Sequence, residues 1–229
     1  MKLVNAEYQL VIDFVENRLE TLVLEHPHYY TDVISQLCMQ FQGEAGEFIL
    51  SDGEKTLNIS KAAELIIDPF HIDLNNRRFL SKLYADLSET AEYLLIEKGD
   101  LNTIAVKLLD EVIGRTSYSG IVYDLDVSWE KIFQAYSVRV DDAFESLTEK
   151  MIEYIKIMVN VFGTRLFIVV GLRAYLTDDE ISQVFETVKY LKAAMLLIES
   201  METRIVPDEK VHIIDRDRCL IVKVNEGGR

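Results

Sequence analysis

The C-terminal third of the chain constrains the fold more than any other part, because it reads as a strand, a helix and a second strand in order. Residues 166–171 (LFIVVG) form a continuous apolar run, typical of a central strand buried on both faces. Thr177 opens the pattern Thr-Asp-Asp-Glu, a capping box with acids at the positive end of a helix dipole. MLLI at 195–198 predicts the next strand. This order predicts a right-handed parallel crossover within an α/β layer.

The first 75 residues predict further elements of the same layer, because apolar residues alternate in several short runs. The predicted strands are YQLVIDF (8–14), LETLVLE (19–25), EFIL (47–50) and KTLN (55–58). Apolar residues at steps of three and four predict a helix over residues 28–41. A second helix is predicted over residues 62–67, capped by Ser60 with Glu64 as the supporting acid.

The character of the sequence changes after Asn75, where long amphipathic helices are predicted as far as residue 162. Their apolar residues recur at alternating steps of three and four, a spacing that packs against partner helices. We therefore predict a discontinuous α/β head formed by residues 1–75 and 163–229. An α-helical leg formed by residues 76–162 is inserted into it.

Composition narrows the class of protein without naming a function. The chain has 229 residues and is 49% hydrophobic, enough for one large domain or two modest ones. It has no signal-like start and no apolar run of about 18 residues, so a cytoplasmic protein without membrane contact is expected. The two cysteines, Cys38 and Cys219, are expected to be free thiols. A net charge of −15 disfavours nucleic acid only weakly, because the distribution of the cations decides binding.

A search for nucleotide chemistry finds none of its motifs. The sequence contains neither GxxxxGK[ST] nor GxGxxG. Where a phosphate loop would follow the strand ending at Glu25, the chain reads His-Pro-His-Tyr-Tyr (26–30), and these bulky residues would block close approach of phosphates. The strand at 166–171 has no acid at its end. Nucleotide binding and ATP hydrolysis are therefore not expected. His26 and His28 are better explained as a loop that caps a helix than as metal ligands.

Two groups of charged residues are candidate sites. Loop carboxylates can bind calcium, and the candidate ligands are Asp124, Asp126 and Asp141. Their spacing is not that of an EF-hand, and helix capping is the alternative role for such acids. Cations that could contact DNA phosphates are Arg77, Arg78, Lys82, Arg165 and Arg173. A solvated surface is the alternative for each of these cations.

Several segments, taken in order, resemble one family. They are LETLVLE, the long run ELIIDPFHIDLNNRRFLSKLYADLSE, the helix start Leu-Thr-Asp-Asp-Glu, the strand MLLIE and the ending HIIDRDRCLIV. Together they resemble the Csn2 family, the small spacer-acquisition proteins of type II-A CRISPR systems. The resemblance covers most of the chain.

The resemblance implies a homotetrameric ring whose head looks like a P-loop NTPase that has lost its nucleotide site. It implies binding of double-stranded DNA ends without cleavage, beside the CRISPR integrase proteins and the RNA-guided nuclease. It also implies calcium near the hinge between head and leg. Asp126 and Asp141 align with acidic ligands of the family, whereas Tyr123, Leu125 and Lys131 replace others.

Two other functions stay open at this point. The α/β layer is compatible with a P-loop-like enzyme that has an atypical nucleotide site near Glu25 and His26. The apolar helical stripes are compatible with an adaptor that binds only protein.

Overall fold

A computed structural model describes residues 1–225 and contains a six-stranded sheet with strand order β10-β9-β3-β8-β7-β6. Its strands are β3 (Leu19–Leu24), β6 (Ala63–Ile66), β7 (Leu166–Val170), β8 (Ala194–Glu199), β9 (Glu209–Ile214) and β10 (Leu220–Asn225). Neighbouring strands from β9 to β6 are parallel, and β10 is antiparallel to β9. The predicted parallel pairing of β7 with β8 is confirmed, and the chain is an α/β protein.

A second, antiparallel sheet has the order β2-β1-β4-β5. Its strands are β1 (Lys2–Asn5), β2 (Leu10–Asp13), β4 (Phe48–Asp52) and β5 (Lys55–Leu57). The alternating burial of β2 confirms the period-two prediction for that segment. The buried residues of this sheet share one core with Leu22 and Leu24 of β3 and with α1 (Pro27–Phe41).

Two further helices, α6 (Leu147–Phe162) and α7 (Asp178–Tyr190), pack against each other. The predicted capping box of α7 is confirmed, because the Thr177 side chain and the Glu180 carboxylate each accept the other residue's backbone N–H. Strand β7 is buried at every position, as its continuous apolar run predicts.

The helix predicted over residues 62–67 is wrong. The chain there forms one helical turn, α2 (Ile59–Ala62), followed by β6, which pairs in parallel with β7. Asn58 rather than Ser60 caps the turn, since its side chain accepts the Lys61 N–H. Glu64 supports no cap and instead accepts a 2.6 Å hydrogen bond from the Tyr154 hydroxyl. The open edge of β7 provides a ladder for this segment, which outweighs a short helical pattern.

The structure divides into two compact units. One contains residues 1–72 and the chain from Ala143 onward, and the other contains residues 73–142. The second unit thus ends before the residue 162 expected for the leg, because α6 belongs to the first. There Thr148 of α6 donates a 3.2 Å hydrogen bond to Glu180, and Lys150 donates to the carbonyl of Phe70.

The smaller unit is helical, with α3 (Arg77–Thr90), α4 (Leu95–Gly114) and α5 (Trp129–Ala135). Asn75 joins its two ends, since the side-chain amide of Asn75 donates to the Val140 carbonyl and accepts the Val140 N–H, both at 3.0 Å. Helix α4 buries none of its residues. The large apolar side chains that it exposes are Leu95, Ile96, Leu101, Ile104, Leu108, Leu109 and Val112. Across residues 1–225, no helix combines the length and apolarity needed to cross a membrane.

Candidate functional site

The carboxyl edge of the parallel strands is the usual ligand site of an open α/β sheet. Here the connection that would carry phosphates is very short: β3 ends at Leu24 and α1 begins at Pro27, leaving only Glu25 and His26 between them. His26 caps α1, because its Nδ1 atom accepts the His28 N–H at 3.2 Å. A connection of two residues cannot form the wide loop of backbone N–H groups that cradles phosphates.

Aromatic side chains occupy the space beside this short connection. The rings of His26 and Tyr29 lie 4.8 Å apart, and Tyr8 meets Tyr29 edge-on at 5.8 Å. Arg218, from the turn between β9 and β10, lies 4.9 Å above the Tyr8 ring and 5.5 Å above the Tyr29 ring. Burial and the hydrogen bond to Asp32 raise the pKa of Tyr8 to about 12. The space beside the connection between β3 and α1 is thus packed with side chains.

Glu199, at the end of β8, is a buried carboxyl group that the sequence analysis did not single out as a site. It is 5% exposed and accepts the backbone N–H of Arg173 at 3.0 Å. Burial raises the pKa of Glu199, and the N–H and charge of Arg173 oppose that shift. A perturbed carboxyl group at this edge is the most enzyme-like feature of the head. The acid that directly follows the strand MLLI is the signal that could have found it.

The raised pKa of Glu199 can be tested by replacing Glu199 with Gln and measuring stability as a function of pH. The folded protein keeps the Glu199 proton to higher pH than the unfolded chain does, whose ordinary pKa is 4.5. The stability from this group is therefore present below pH 4.5 and is lost as the pH rises through the raised, folded-state pKa. We expect Glu199→Gln to gain stability over wild type as the pH rises from 4.5 to 7, measured by urea unfolding. Glu54→Gln, the same exchange at an exposed glutamate, is the matched control for the substitution itself. A pH-independent difference between Glu199→Gln and wild type would contradict the assignment.

Three predicted DNA-contacting cations lie together on α3 in the smaller unit. Arg77 and Arg78 are exposed in its first turn. Lys82 follows one turn later, and its Nζ atom lies 2.5 Å from Asp86. Within residues 1–225, Arg77 makes no ion pair. These three cations lie within the first two turns of α3, and Asp86 partly neutralises Lys82.

The other two predicted cations, Arg165 and Arg173, lie at opposite ends of β7. Arg165 is half exposed and pairs with Asp52 at 2.7 Å, which lowers the pKa of that carboxyl group. Arg173 is only 5% exposed, and its guanidinium donates to Glu209, Asp178 and the Arg204 carbonyl. Arg173 is therefore a buried structural residue, and we leave it out of any phosphate-binding surface.

A cleft of about 310 Å³ beside Arg165 contains two cations that the sequence analysis did not single out, Lys189 and Lys192. Lys189 pairs with Glu186 at 2.8 Å, whereas Lys192 is exposed and makes no ion pair within residues 1–225. The Arg165 carbonyl accepts the Ala194 N–H, so the amino ends of β7 and β8 meet here. Glu16 contributes the opposing charge. The crossover geometry, which brings the starts of parallel strands together, is the signal that could have revealed this cluster.

The three predicted calcium ligands do not gather. Asp126 accepts hydrogen bonds from Lys98 and Asn102 at 2.9 and 2.7 Å, and the Lys98 bond lowers its pKa. Asp124 pairs with Lys131 at 3.3 Å. In the part of the chain that the structure describes, no group of three or more His, Cys, Asp or Glu residues could hold a metal ion. The arrangement therefore does not fit calcium, and no step below depends on that ion.

Comparison with known proteins places the chain in a family. The family model described as CRISPR-associated protein (Cas_Csn2) matches residues 40–218, which is most of the sequence. The chain belongs to the Csn2 family. The resemblance stated from the sequence segments is thereby confirmed, and the protein is CRISPR-associated, with a role in CRISPR-based defence.

Two Csn2 relatives cover most of the chain at low identity. The CRISPR-associated protein Csn2 of Streptococcus agalactiae is 23% identical over 207 residues, covering 87% of this chain and 89% of its own. The Csn2 protein of Enterococcus faecalis is 23% identical over 189 residues, covering 80% and 82%. This identity marks a divergent Csn2 member. A putative ABC transporter ATP-binding protein from Pyrococcus furiosus aligns with a TM-score of 0.40 at 10% identity, covering 89% of this chain and 88% of its own.

Proposed function

We propose that this Csn2 protein is a non-catalytic ring that binds the ends of double-stranded DNA during acquisition of new spacers. The observation that carries the proposal is the family match over residues 40–218. In this proposal the protein acts beside the CRISPR integrase proteins and the RNA-guided nuclease, and it holds DNA without cutting it.

The head supports the non-catalytic part of the proposal. Its parallel sheet has helices against it and a strand-to-helix connection at the place where a P-loop NTPase binds phosphates. That connection has two residues, and aromatic rings pack beside it. We therefore propose a P-loop-like head that no longer accepts a nucleotide.

The smaller unit supports assembly of a ring from several copies. Every large apolar residue of α4 named above is at least 36% exposed. A 20-residue helix with exposed apolar side chains and no buried residue is unusual in a monomer. Packing between copies would remove that surface from water, in keeping with the homotetramer proposed here.

Binding to DNA must overcome the overall charge of −15. The proposed contacts are the α3 patch of Arg77, Arg78 and Lys82 and the cleft cations beside Arg165. Contacts to phosphates carry no sequence information, so affinity should be nearly independent of sequence. It should fall steeply with salt, by about 10³ to 10⁵ between 50 and 200 mM if 6–10 phosphates are neutralised.

A gel-shift experiment tests the proposal with one duplex sequence in two forms, linear and covalently closed. We expect binding to the linear form, a steep loss with salt, and weak or no binding to the closed form at equal concentration. Lys192→Gln should reduce the slope of log affinity against log salt by about 1, since it removes one phosphate contact. Lys55→Gln, an exposed lysine of β5, is the matched control and should leave the slope unchanged.

Three results would decide against this function. Equal affinity for linear and closed DNA would remove the preference for ends. Metal-dependent ATP turnover that disappears in Glu25→Gln or Glu199→Gln would favour the atypical nucleotide enzyme. A stable complex with another protein, with no DNA binding even at 50 mM salt, would favour the adaptor.

A further inference from the structure

Strand β10 is an edge strand whose apolar side chains are exposed on both faces of the sheet. Leu220, Ile221, Val222 and Val224 are 38%, 44%, 47% and 51% exposed. The strand at the other edge, β6, buries both its first and its last residue. A long apolar edge strand is normally blunted by charges, proline or a covering element, because it otherwise pairs with another chain. Strand β10 carries one lysine and no proline.

The hydrogen-bond pattern of the hairpin shows which backbone groups of β10 do not bond to β9. The Asp215 N–H donates to the Cys219 carbonyl at 3.1 Å, so this residue pair is of the hydrogen-bonded type. Such pairs alternate along an antiparallel ladder. Val222, opposite His212, therefore lies in a pair without hydrogen bonds to β9. The backbone N–H and C=O of Val222 therefore point away from β9, toward the open edge of the sheet, and those of Leu220 and Val224 do the same.

We propose that β10 pairs antiparallel with β10 of a second copy of this chain, about a two-fold axis at Val222. Pairing joins the two six-stranded sheets into one and gives the outward backbone groups their partners. The inference deepens the ring proposed above by naming one of its contacts, and to that extent it rests on that proposal.

The strand sequence selects this register. Outward-facing residues must meet outward-facing residues, so the axis can lie at any residue from 220 to 224, and the overlap of the two strands differs among these registers. An axis at Lys223 sets two ammonium groups directly opposite each other, which is unfavourable. An axis at Ile221 overlaps only residues 220–222 of the two strands, an axis at Val224 only residues 223–225, and an axis at Leu220 only that residue. An axis at Val222 overlaps residues 220–224.

The register at Val222 also matches side chains across the contact. It sets Leu220 opposite Val224 at both ends and Val222 opposite itself in the centre. Lys223 lies opposite Ile221, where its aliphatic stem can pack on an apolar neighbour. Its charge is already paired with Glu202 of its own chain at 2.6 Å. This register therefore sets no pair of like-charged side chains directly opposite each other.

Val222→Pro tests the contact while sparing the hairpin. Proline removes an N–H that β9 does not use, a position where an edge strand tolerates it. Light scattering should report a mass about half that of wild type or less, with an unchanged circular dichroism spectrum. Val222→Thr keeps the N–H and a β-branched side chain and should retain the wild-type mass. A Val222→Pro protein with the wild-type mass would overturn the β10 contact alone, whereas a monomeric wild type would overturn the ring as well.

Disulfide cross-linking tests the same contact without disrupting it. In this register the two copies of residue 222 face each other at a Cα separation of about 5.5 Å, within disulfide range. In a chain with Cys38 and Cys219 replaced by Ala, Val222→Cys should form a covalent dimer on mild oxidation. Val224→Cys should not, because residue 224 faces residue 220. Cross-linking at 224 but not at 222 would overturn the register. Loss of DNA binding with the dimer intact would count against the proposed function only.

Discussion

Glu209→Ala is expected to lower the free energy of unfolding by about 3–5 kcal/mol, the range for breaking a buried ion pair from one side. Glu209 is 1% exposed and its partner Arg173 is 5% exposed. The guanidinium donates to both carboxylate oxygens, at 2.7 and 2.8 Å. The loss is large because the buried guanidinium loses its buried counter-ion and keeps only Asp178, a half-exposed carboxylate that it reaches through one nitrogen at 3.1 Å.

Other groups depend on the same carboxylate. The Thr21 hydroxyl and the Val206 N–H donate to Glu209 at 2.6 and 2.7 Å. Removing the carboxylate leaves these two donors without an acceptor. They would join the Arg173 Nε atom, a buried donor that already has no partner within the described residues. Buried donors without partners each cost about 1–3 kcal/mol. The carboxylate thus connects β3, β9 and the loop before β9.

Urea unfolding at pH 7 measures the change in the free energy of unfolding, and two further variants serve for comparison. Lys223→Ala breaks an exposed pair with Glu202 and should cost about 1 kcal/mol or less. The double variant Arg173→Met/Glu209→Leu should recover much of the loss, because apolar residues of similar volume can replace a buried pair. A Glu209→Ala protein within 1 kcal/mol of wild type would mean that water reaches this pair.

The same pair explains why sequence alone assigned Arg173 to DNA. An arginine directly after an apolar strand has the features of an exposed phosphate ligand. Its partner Glu209 lies 36 residues further along, and only the strand order brings the two together. For the same reason the cleft cations near Arg165 were missed, since Lys189 and Lys192 lie on the helix that follows β7 and in the turn after it.

Strong local patterns predicted the fold well. Strands β3 and β7 have long apolar runs, and the capping box of α7 is encoded within four residues. Elements whose position or type depends on a neighbouring element were predicted less completely. The apolar stripe of α6 is correctly helical, yet it does not say that the helix packs on α7. The segment forming β6 became a strand because β7 offered it an open edge.

The candidate calcium ligands form no cluster within residues 1–225, and the reason is related. Closely spaced carboxylates predict a cation, but the sequence does not say which cation. Lys98 of α4 and Lys131 of α5 supply the positive charges that Asp126 and Asp124 would otherwise take from a metal. Residues 28 and 7 positions apart satisfy one another without an ion.

Phe167→Ala is expected to lower the free energy of unfolding by about 3–5 kcal/mol, the usual cost of truncating a buried phenylalanine. Phe167 is 0% exposed and lies on β7, between β6 and β8. Strands on both sides hold the backbone, so the surroundings cannot collapse into the space left by the ring. Both the lost burial of the ring and the remaining cavity contribute to the cost.

Phe70→Ala is the matched control in the same unit. Phe70 is 56% exposed and meets Tyr175 edge-on at 4.9 Å, a contact worth about 0.5–1.5 kcal/mol. Urea unfolding of both variants should therefore separate them by roughly 1.5 kcal/mol or more. Equal losses would mean that β7 is not enclosed by two neighbours, and the parallel order β8-β7-β6 would have to be abandoned. Because β6 was expected to be a helix, this comparison tests the strand order at the one place where local sequence argued against it.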